Sequence, residues 1–206
     1  RAAGAERVPL SPLSRRAAER LVRALLGDET PDATVARVVE RGEGNPFFLE
    51  ELVRHVAEHG EGSIPESVMA MVQSRLEHLP PEARLVMRVA SVFGETFWEA
   101  GVAALVEGLE PAAVGEWIEA LVRHEIVAPA SSSRLASQRE LVFRHAILRD
   151  VAYAMLVDAD RAAAHRLAAA WLEEAGERDD QIIGEHYLRG GAPDLAAPRL
   201  LAPARP

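Results

Sequence analysis

Two histidines and a glutamate with the spacing of a metal site stand at residues 55–59. The segment His55-Val56-Ala57-Glu58-His59 matches the H-x-x-E-H pattern of one class of zinc proteases. Histidines four residues apart on a helix share one face, so their geometry permits them to bind one metal ion. The segment also falls in the last turn of a predicted helix, just before Gly60, where histidine is favourable against the helix dipole. No third ligand source stands out downstream, so we predict helix-end histidines and no metal site.

The start of the same predicted helix carries a second group of residues with a special spacing. Asn45 is a good N-cap, Pro46 suits the first helical position, and Gly44 permits the tight turn before them. Helix initiation alone explains this pattern, and a ligand contact at the turn is the alternative. The apolar continuation after Pro46 is expected to anchor the helix in its own core; its members are Phe47, Phe48, Leu49 and Leu52.

A histidine marks another junction, where a short β-type run passes into a helix. His145 follows Leu141-Val142-Phe143. A helix N-terminus offers unpaired N–H groups and a partial positive charge to an anion, and histidine adds a donor whose charge is adjustable near neutral pH. The alternative is a junction histidine whose ring is satisfied by a backbone carbonyl. Arg144 beside it is a candidate phosphate contact, although pairing with a surface carboxylate is favoured.

Other catalytic chemistry is not supported by the sequence. All 23 basic residues are arginine, so the chain lacks the lysine that a Gly-x-x-x-x-Gly-Lys-Ser/Thr phosphate loop requires. Ser131-Ser132-Ser133 has no evident His or acid partner, which indicates a solvated loop. The remaining histidines show no ligand spacing; they are His78, His124, His165 and His186. We therefore expect no enzymatic activity from this chain by itself.

Helix signals occupy most of the sequence. Helices are predicted to begin near Ser14, Pro31, Asn45, Pro65 and Pro80, then at about 97–107, 111–124, 145–156 and 159–175, with a further helix, a Gly-Gly turn and another helix start after Asp179. Two short β-type runs, Ile126-Val127-Ala128 and Leu141-Val142-Phe143, predict a hairpin. Three helices followed by a hairpin is the order of a winged helix. The fold is therefore predicted to be mainly α, with a helical lid at 1–62, a winged-helix domain at 63–157, and a helical linker with the first tetratricopeptide-like helices at 158–206.

The charge of the chain argues against a nucleic-acid partner. The 206 residues carry a net charge of −9, and an acidic protein repels a polyanion. Residues 65–156 hold eight arginines against twelve carboxylates, a net charge of −4. The helix that a winged helix would place in the major groove contains Glu110, Glu116 and Glu119 against Arg123 alone, so DNA binding is not expected.

Composition gives weaker indications of the cellular setting. The chain contains no cysteine, which fits a reducing cytoplasm. The N-terminus has no signal-peptide pattern and no apolar run reaches the length of a membrane span, so we expect no membrane partner. The Arg1 start and the abrupt Ala-Pro-Ala-Arg-Pro end lead us to expect an excerpt of a longer protein.

Several of these segments together resemble the signal-transduction (STAND) ATPases. The segment Gly44-Asn45-Pro46 with its Phe-Phe-Leu-Glu-Glu-Leu continuation is similar to their Gly-x-Pro element, and Phe143–Tyr153 is similar to their Met-His-Asp element. The linker 64–76 and the segments 79–84 and 90–94 extend the resemblance, which covers about residues 10–200. It is closest to predicted ATPases fused to bacterial serine/threonine protein kinases; similar modules accompany adenylate cyclases or the DNA-binding domains of transcription regulators.

The resemblance implies a nucleotide-sensing role for named residues. Gly44 and Pro46 would line the site of the adenine base, and His145 would contact the β-phosphate of ADP. Ala146 stands where the plant and animal pattern has an aspartate, so the role of that aspartate is not carried over. The implied cofactor is ADP or ATP, with Mg bound mainly by a P-loop domain that would precede Arg1 in the same chain.

The implied mechanism is a two-state switch. ADP would hold the lid and the winged helix closed, and exchange to ATP would release a surface for association with other protomers, a shift of population between two states. Two alternatives remain open from the sequence, a helical interaction scaffold with no nucleotide role and an independent enzyme whose site the sequence does not reveal.

Overall fold

A computed structural model describes residues 11–60 and 67–201. The described residues form eleven helices and a small three-stranded antiparallel sheet, which confirms the predicted mainly α fold. The chain divides into two compact units, Arg1–Ser74 and Arg75–Pro206, and each is described by itself. In the part of the chain that the structure describes, every helix is too short or too polar to cross a bilayer.

The first unit contains three helices whose ends follow the predicted capping signals. They are α1 (Arg15–Leu26), α2 (Asp32–Gly42) and α3 (Pro46–His59). Ser14 caps α1 by accepting a hydrogen bond from the Ala17 N–H at 3.3 Å. The apolar faces of the three helices meet in a common core formed by Ala18, Val22, Val35, Val38, Leu49, Leu52 and Val56.

The helix α4 (Val68–Glu77) contains the boundary between the two units. It buries Met71, Val72 and Leu76. The predicted start of this helix at Pro65 lies outside the described residues.

The second unit begins with alternating helices and strands. These are α5 (Pro81–Phe93), β1 (Thr96–Trp98), α6 (Glu99–Leu105), α7 (Pro111–Arg123), β2 (Val127–Pro129) and β3 (Glu140–Phe143). The sheet order is β1-β3-β2, with Phe97 opposite Leu141 and Ala128 opposite Val142. The β2–β3 hairpin was predicted, whereas the helix predicted over 97–107 begins only at Glu99.

The additional strand β1 is fixed by distant parts of the chain. Phe97 and Trp98 are buried at 0% and 1% exposure. The indole N–H of Trp98 donates to a carboxylate oxygen of Glu140 at 3.0 Å. Because this partner lies on β3, the local sequence around Trp98 does not reveal the strand.

Four helices complete the second unit, as the periodicity predicts. They are α8 (Ala146–Ala154), α9 (Asp158–Glu174), α10 (Asp180–Arg189) and α11 (Pro193–Leu200). Asp179 caps α10 by accepting from the Gln181 N–H at 2.9 Å, and Gly191 adopts φ +71° in the turn that follows. A buried cluster joins α9, α10 and α11 to β1; it contains Trp98, Leu135, Ala169, Leu172, Ile183, Tyr187 and Ala196.

Candidate functional site

The turn before α3 is shaped by Gly44. Glu43 and Gly44 both have positive φ, at 49° and 72°, so the chain reverses within a few residues of the end of α2. The Gly44 carbonyl accepts a hydrogen bond from the Leu13 N–H at 2.8 Å, and a Cβ at Gly44 would lie only 2.7 Å from the Leu13 oxygen. Glycine is therefore required here by both conformation and space.

The next two residues start α3 as predicted. The Asn45 side-chain oxygen accepts from the Phe47 N–H at 3.0 Å, which satisfies one unpaired donor of the first turn. Pro46 occupies the first turn with its ring exposed to solvent, while Phe47 and Leu49 behind it are buried. The turn is thus rigid, and the proline is presented outward rather than used in the core.

A pocket of about 390 Å³ opens beside this turn within the first unit. Its lining combines apolar and charged side chains, including Leu13, Arg15, Val39, Glu40, Glu43 and Gly44. Arg15 pairs with Glu19 at 3.0 Å, an exposed contact of small energetic value. A ligand entering this pocket would meet both a guanidinium and two carboxylates.

His145 lies at the N-cap of α8, directly after β3. Its backbone is extended, with φ −144° and ψ 139°, and its carbonyl accepts from the Leu148 N–H at 3.0 Å. The side chain is half-buried and makes no capping hydrogen bond to the first turn of α8. The ring therefore stands at the positive end of a helix.

Arg144 has an ionic partner on the surface. Its guanidinium lies 3.3 Å from a carboxylate oxygen of Glu125, and both side chains are about half exposed. The main-chain N–H of Arg144 donates to the Ile126 carbonyl at 3.1 Å, which holds it at the end of β3. Pairing with a surface carboxylate is what the sequence favoured for this residue; its phosphate contact stays a prediction.

The predicted site residues form two pairs of chain neighbours, one pair in each unit. Gly44 and Pro46 form one turn in the first unit, and Arg144 and His145 form one junction in the second. Each pair is positioned by the start of a helix, α3 or α8.

The H-x-x-E-H segment, residues 55–59, forms the last turn of α3. The rings of His55 and His59 stack with centroids 4.4 Å apart, and His59 Nδ1 lies 3.2 Å from the His55 carbonyl oxygen. Within residues 11–60 and 67–201, no group of three or more His, Cys, Asp or Glu side chains is arranged to hold a metal ion.

Two histidines that show no ligand spacing in the sequence meet inside the second unit. His165 Nδ1 and His186 Nδ1 lie 2.9 Å apart, and the Tyr153 hydroxyl lies 2.8 Å from His165 Nε2. Burial is the main cause that lowers the pKa of His165 to about 3 and that of His186 to about 4. The two residues lie on different helices 21 positions apart, so no spacing rule could have paired them.

No family model matches this chain, and no curated protein or solved structure matches it either.

Proposed function

We propose that this chain is the regulatory part of a STAND-class ATPase switch. In this proposal Gly44 and Pro46 contact the adenine base, and His145 contacts the β-phosphate of ADP. The phosphate-binding domain precedes Arg1, and the effector is a protein kinase or another signalling domain. The chain contributes contacts that hold the closed state and performs no chemistry of its own.

The observation that carries the proposal is the position of His145. An imidazole at the N-cap of α8 would donate to a phosphate together with the first N–H groups of the helix. Arg144 is the neighbouring cation, and its exposed bridge to Glu125 is weak enough to exchange for a phosphate.

The turn at Gly44 supports the adenine contact. The exposed Pro46 ring offers a flat apolar surface, and the buried side chains of Phe47 and Leu49 fix the helix that carries it. Because the Leu13 carbonyl occupies the space that a Gly44 side chain would fill, this glycine fixes the tight turn that presents Pro46. A rigid apolar surface of this kind loses little conformational entropy when it binds a ring.

The order of elements in the second unit also fits the proposal. A helix, a strand, two helices and a hairpin form α5-β1-α6-α7-β2-β3, which is the order of a winged helix. Acidic residues at the N-cap of α7 and along it disfavour DNA, since Glu110, Glu116 and Glu119 are all exposed. A winged helix that does not bind DNA is consistent with an intramolecular regulatory role.

The deciding experiment uses the longer protein that includes the phosphate-binding domain. The purified protein is denatured and the released nucleotide is identified and counted. We expect one ADP per chain, and its loss in His145→Ala and in Pro46→Ala. His124→Ala is the matched control because His124 is an exposed histidine at the other end of a helix, the C-cap of α7.

A helical scaffold without nucleotide is the second candidate, and one observation favours it. The last two helices expose large apolar side chains, with Leu188 at 54% and Leu195 at 55% exposure. A protein that folds and self-associates without bound nucleotide would support the scaffold and remove the site assignments. ADP retained at full stoichiometry in both variants would remove only the roles of Pro46 and His145.

A further inference from the structure

A buried chain of three side chains links α8, α9 and α10. Tyr153 contacts His165, and His165 contacts His186 through the two Nδ1 atoms. His165 is fully buried and His186 is 6% exposed. With both imidazoles neutral, one facing Nδ1 carries a hydrogen and the other accepts it. A single added proton places a charge in this interior, and a second makes both Nδ1 atoms donors and abolishes their hydrogen bond.

The groups around these three side chains disfavour protonation of the two histidines. The groups that face it are Arg149 on α8, Arg161 on α9, Glu185 and Arg189 on α10, and Glu95 and Arg134, which line the pocket beside His186. Arg149 and Arg161 also lie over the Tyr153 ring, at 4.9 and 4.7 Å from its centroid. Burial and then the positive charges lower the pKa of both histidines, and the two carboxylates do not reverse this.

The α10–α11 hairpin is held against the rest of its unit by apolar, ionic and hydrogen-bonding contacts, among them the Tyr187 hydroxyl donating to Glu173 on α9 at 3.1 Å. It covers an apolar surface that includes Trp98 and Leu172. Arg199 on α11 pairs with Glu173 on α9 and with Asp180 on α10. A short connection, residues 175–179, joins the hairpin to α9 and contains Gly176 at φ +87°. A movement of the hairpin away from α9 would have to turn about this connection.

We propose that the Tyr153–His165–His186 chain is a latch that holds the α10–α11 hairpin against α9, and that acid releases it. Release exposes both imidazoles to water, where each binds a proton with an ordinary pKa of about 6.5. The open form then binds up to two more protons than the closed form. The equilibrium constant for release of the hairpin therefore rises about 100-fold between pH 7.5 and 5.5, close to tenfold for each histidine. This inference does not depend on the proposed nucleotide role.

Hydrogen exchange measured by mass spectrometry tests the latch on the full chain. Peptides covering α10 are compared with peptides covering α7 at pH 7.5 and 5.5, after correction for the intrinsic exchange rates. We expect protection in α10 to fall about 100-fold and to stay well below protection in α7 at both pH values, because α7 exchanges only when the whole unit unfolds. Unchanged protection in α10 overturns the proposal, and so does equal protection in α10 and α7 at both pH values, which would mean that α10 opens only by global unfolding.

Variants assign the effect to the two histidines. The double variant His165→Gln/His186→Gln keeps hydrogen-bonding side chains that do not titrate, so its pH dependence in α10 should fall below about threefold. Each single variant should keep about a tenfold dependence. His124→Gln, at an exposed histidine, should retain the full change. A double variant with the full change overturns the latch.

A second measurement decides the question if the double variant does not fold at pH 7.5. The histidine nitrogen resonances of the unmodified chain are followed by NMR as the pH is lowered. Two histidines that remain neutral down to pH 5 while α10 is protected support the latch. Two that titrate near pH 6.5 with α10 still protected overturn it.

Discussion

His165 and His186 share a hydrogen bond between their Nδ1 atoms at 2.9 Å, although they lie on separate helices. Their pKa values are lowered to about 3 and about 4, mainly by burial. The folded chain therefore binds fewer protons than the unfolded chain at mildly acidic pH. The stability that the neutral pair contributes is complete above pH 6.5 and is lost progressively as the pH falls.

The first prediction concerns this loss of stability with acid. The free energy of unfolding, measured with urea, should fall by about 2–3 kcal/mol between pH 7.5 and 5.5 because of these two groups. The His165→Gln/His186→Gln variant should lose most of this dependence, whereas His124→Gln should keep it. Equal slopes in the unmodified chain and the double variant would contradict the prediction.

The second prediction tests the turn at Gly44 through Gly44→Ala. The new Cβ would lie 2.7 Å from the Leu13 carbonyl oxygen at a backbone φ of +72°. Gly60→Ala is the matched control, because Gly60 has φ +82° with no atom within 4 Å of the added Cβ. Gly60→Ala should lower the free energy of unfolding by about 1–3 kcal/mol because of the backbone conformation alone. Gly44→Ala should lower it by about 1–3 kcal/mol more because of the clash.

Thermal denaturation followed by circular dichroism measures both variants. Both glycines belong to the first unit, so the same transition reports both changes. Equal melting temperatures for Gly44→Ala and Gly60→Ala would show that the contact with Leu13 does not constrain the turn.

The third prediction compares two glycines within helices of the second unit. A Cβ at Gly101 on α6 would lie 2.9 Å from the Phe93 ring and 3.0 Å from the Trp171 ring, so Gly101→Ala should destabilise by about 1–3 kcal/mol. A Cβ at Gly115 on α7 would meet only the carboxylate end of Glu99, at 3.0 Å, which is a flexible group. Gly115→Ala should therefore be neutral or stabilise by up to about 1 kcal/mol through helix propensity.

Urea unfolding of the two variants, followed by tryptophan fluorescence, checks this contrast. A stable Gly101→Ala variant would indicate that Trp171 repacks without cost. A strongly destabilised Gly115→Ala variant would show that the Glu99 carboxylate is not free to move aside.

Elements with local signals could be predicted from the sequence. The helix α1 follows directly from its Ser14 cap and from the Gly27 that ends it, and α3 follows from Asn45 and Pro46. These signals act within one helical turn, so the sequence around each of them contains the needed information. The positions of Gly44, Pro46 and His145 at helix starts were predictable for the same reason, while their nucleotide contacts stay predictions.

Features that depend on distant partners could not be predicted in this way. Thr96-Phe97-Trp98 forms a strand because β3 supplies its hydrogen bonds and Glu140 accepts from the Trp98 indole. The contact between His165 and His186 exists because α9 and α10 pack side by side, which the sequence spacing of the two residues does not show. In both cases tertiary packing, rather than local propensity, determines the structure.

The position of β3 at the centre of the sheet has a consequence for the order of events on the ribosome. Within this sheet, β1 pairs only with β3. Phe97 therefore cannot form its strand pairing until Leu141 has also been synthesised and has left the ribosome. At about 5–20 residues per second, that delay is about 2–9 s. During the delay β1 presents an unpaired strand edge that carries a phenylalanine and a tryptophan, which is a site for nonspecific association. The emerging chain is therefore open to nonspecific association through Phe97 and Trp98 until the hairpin β2–β3 is complete.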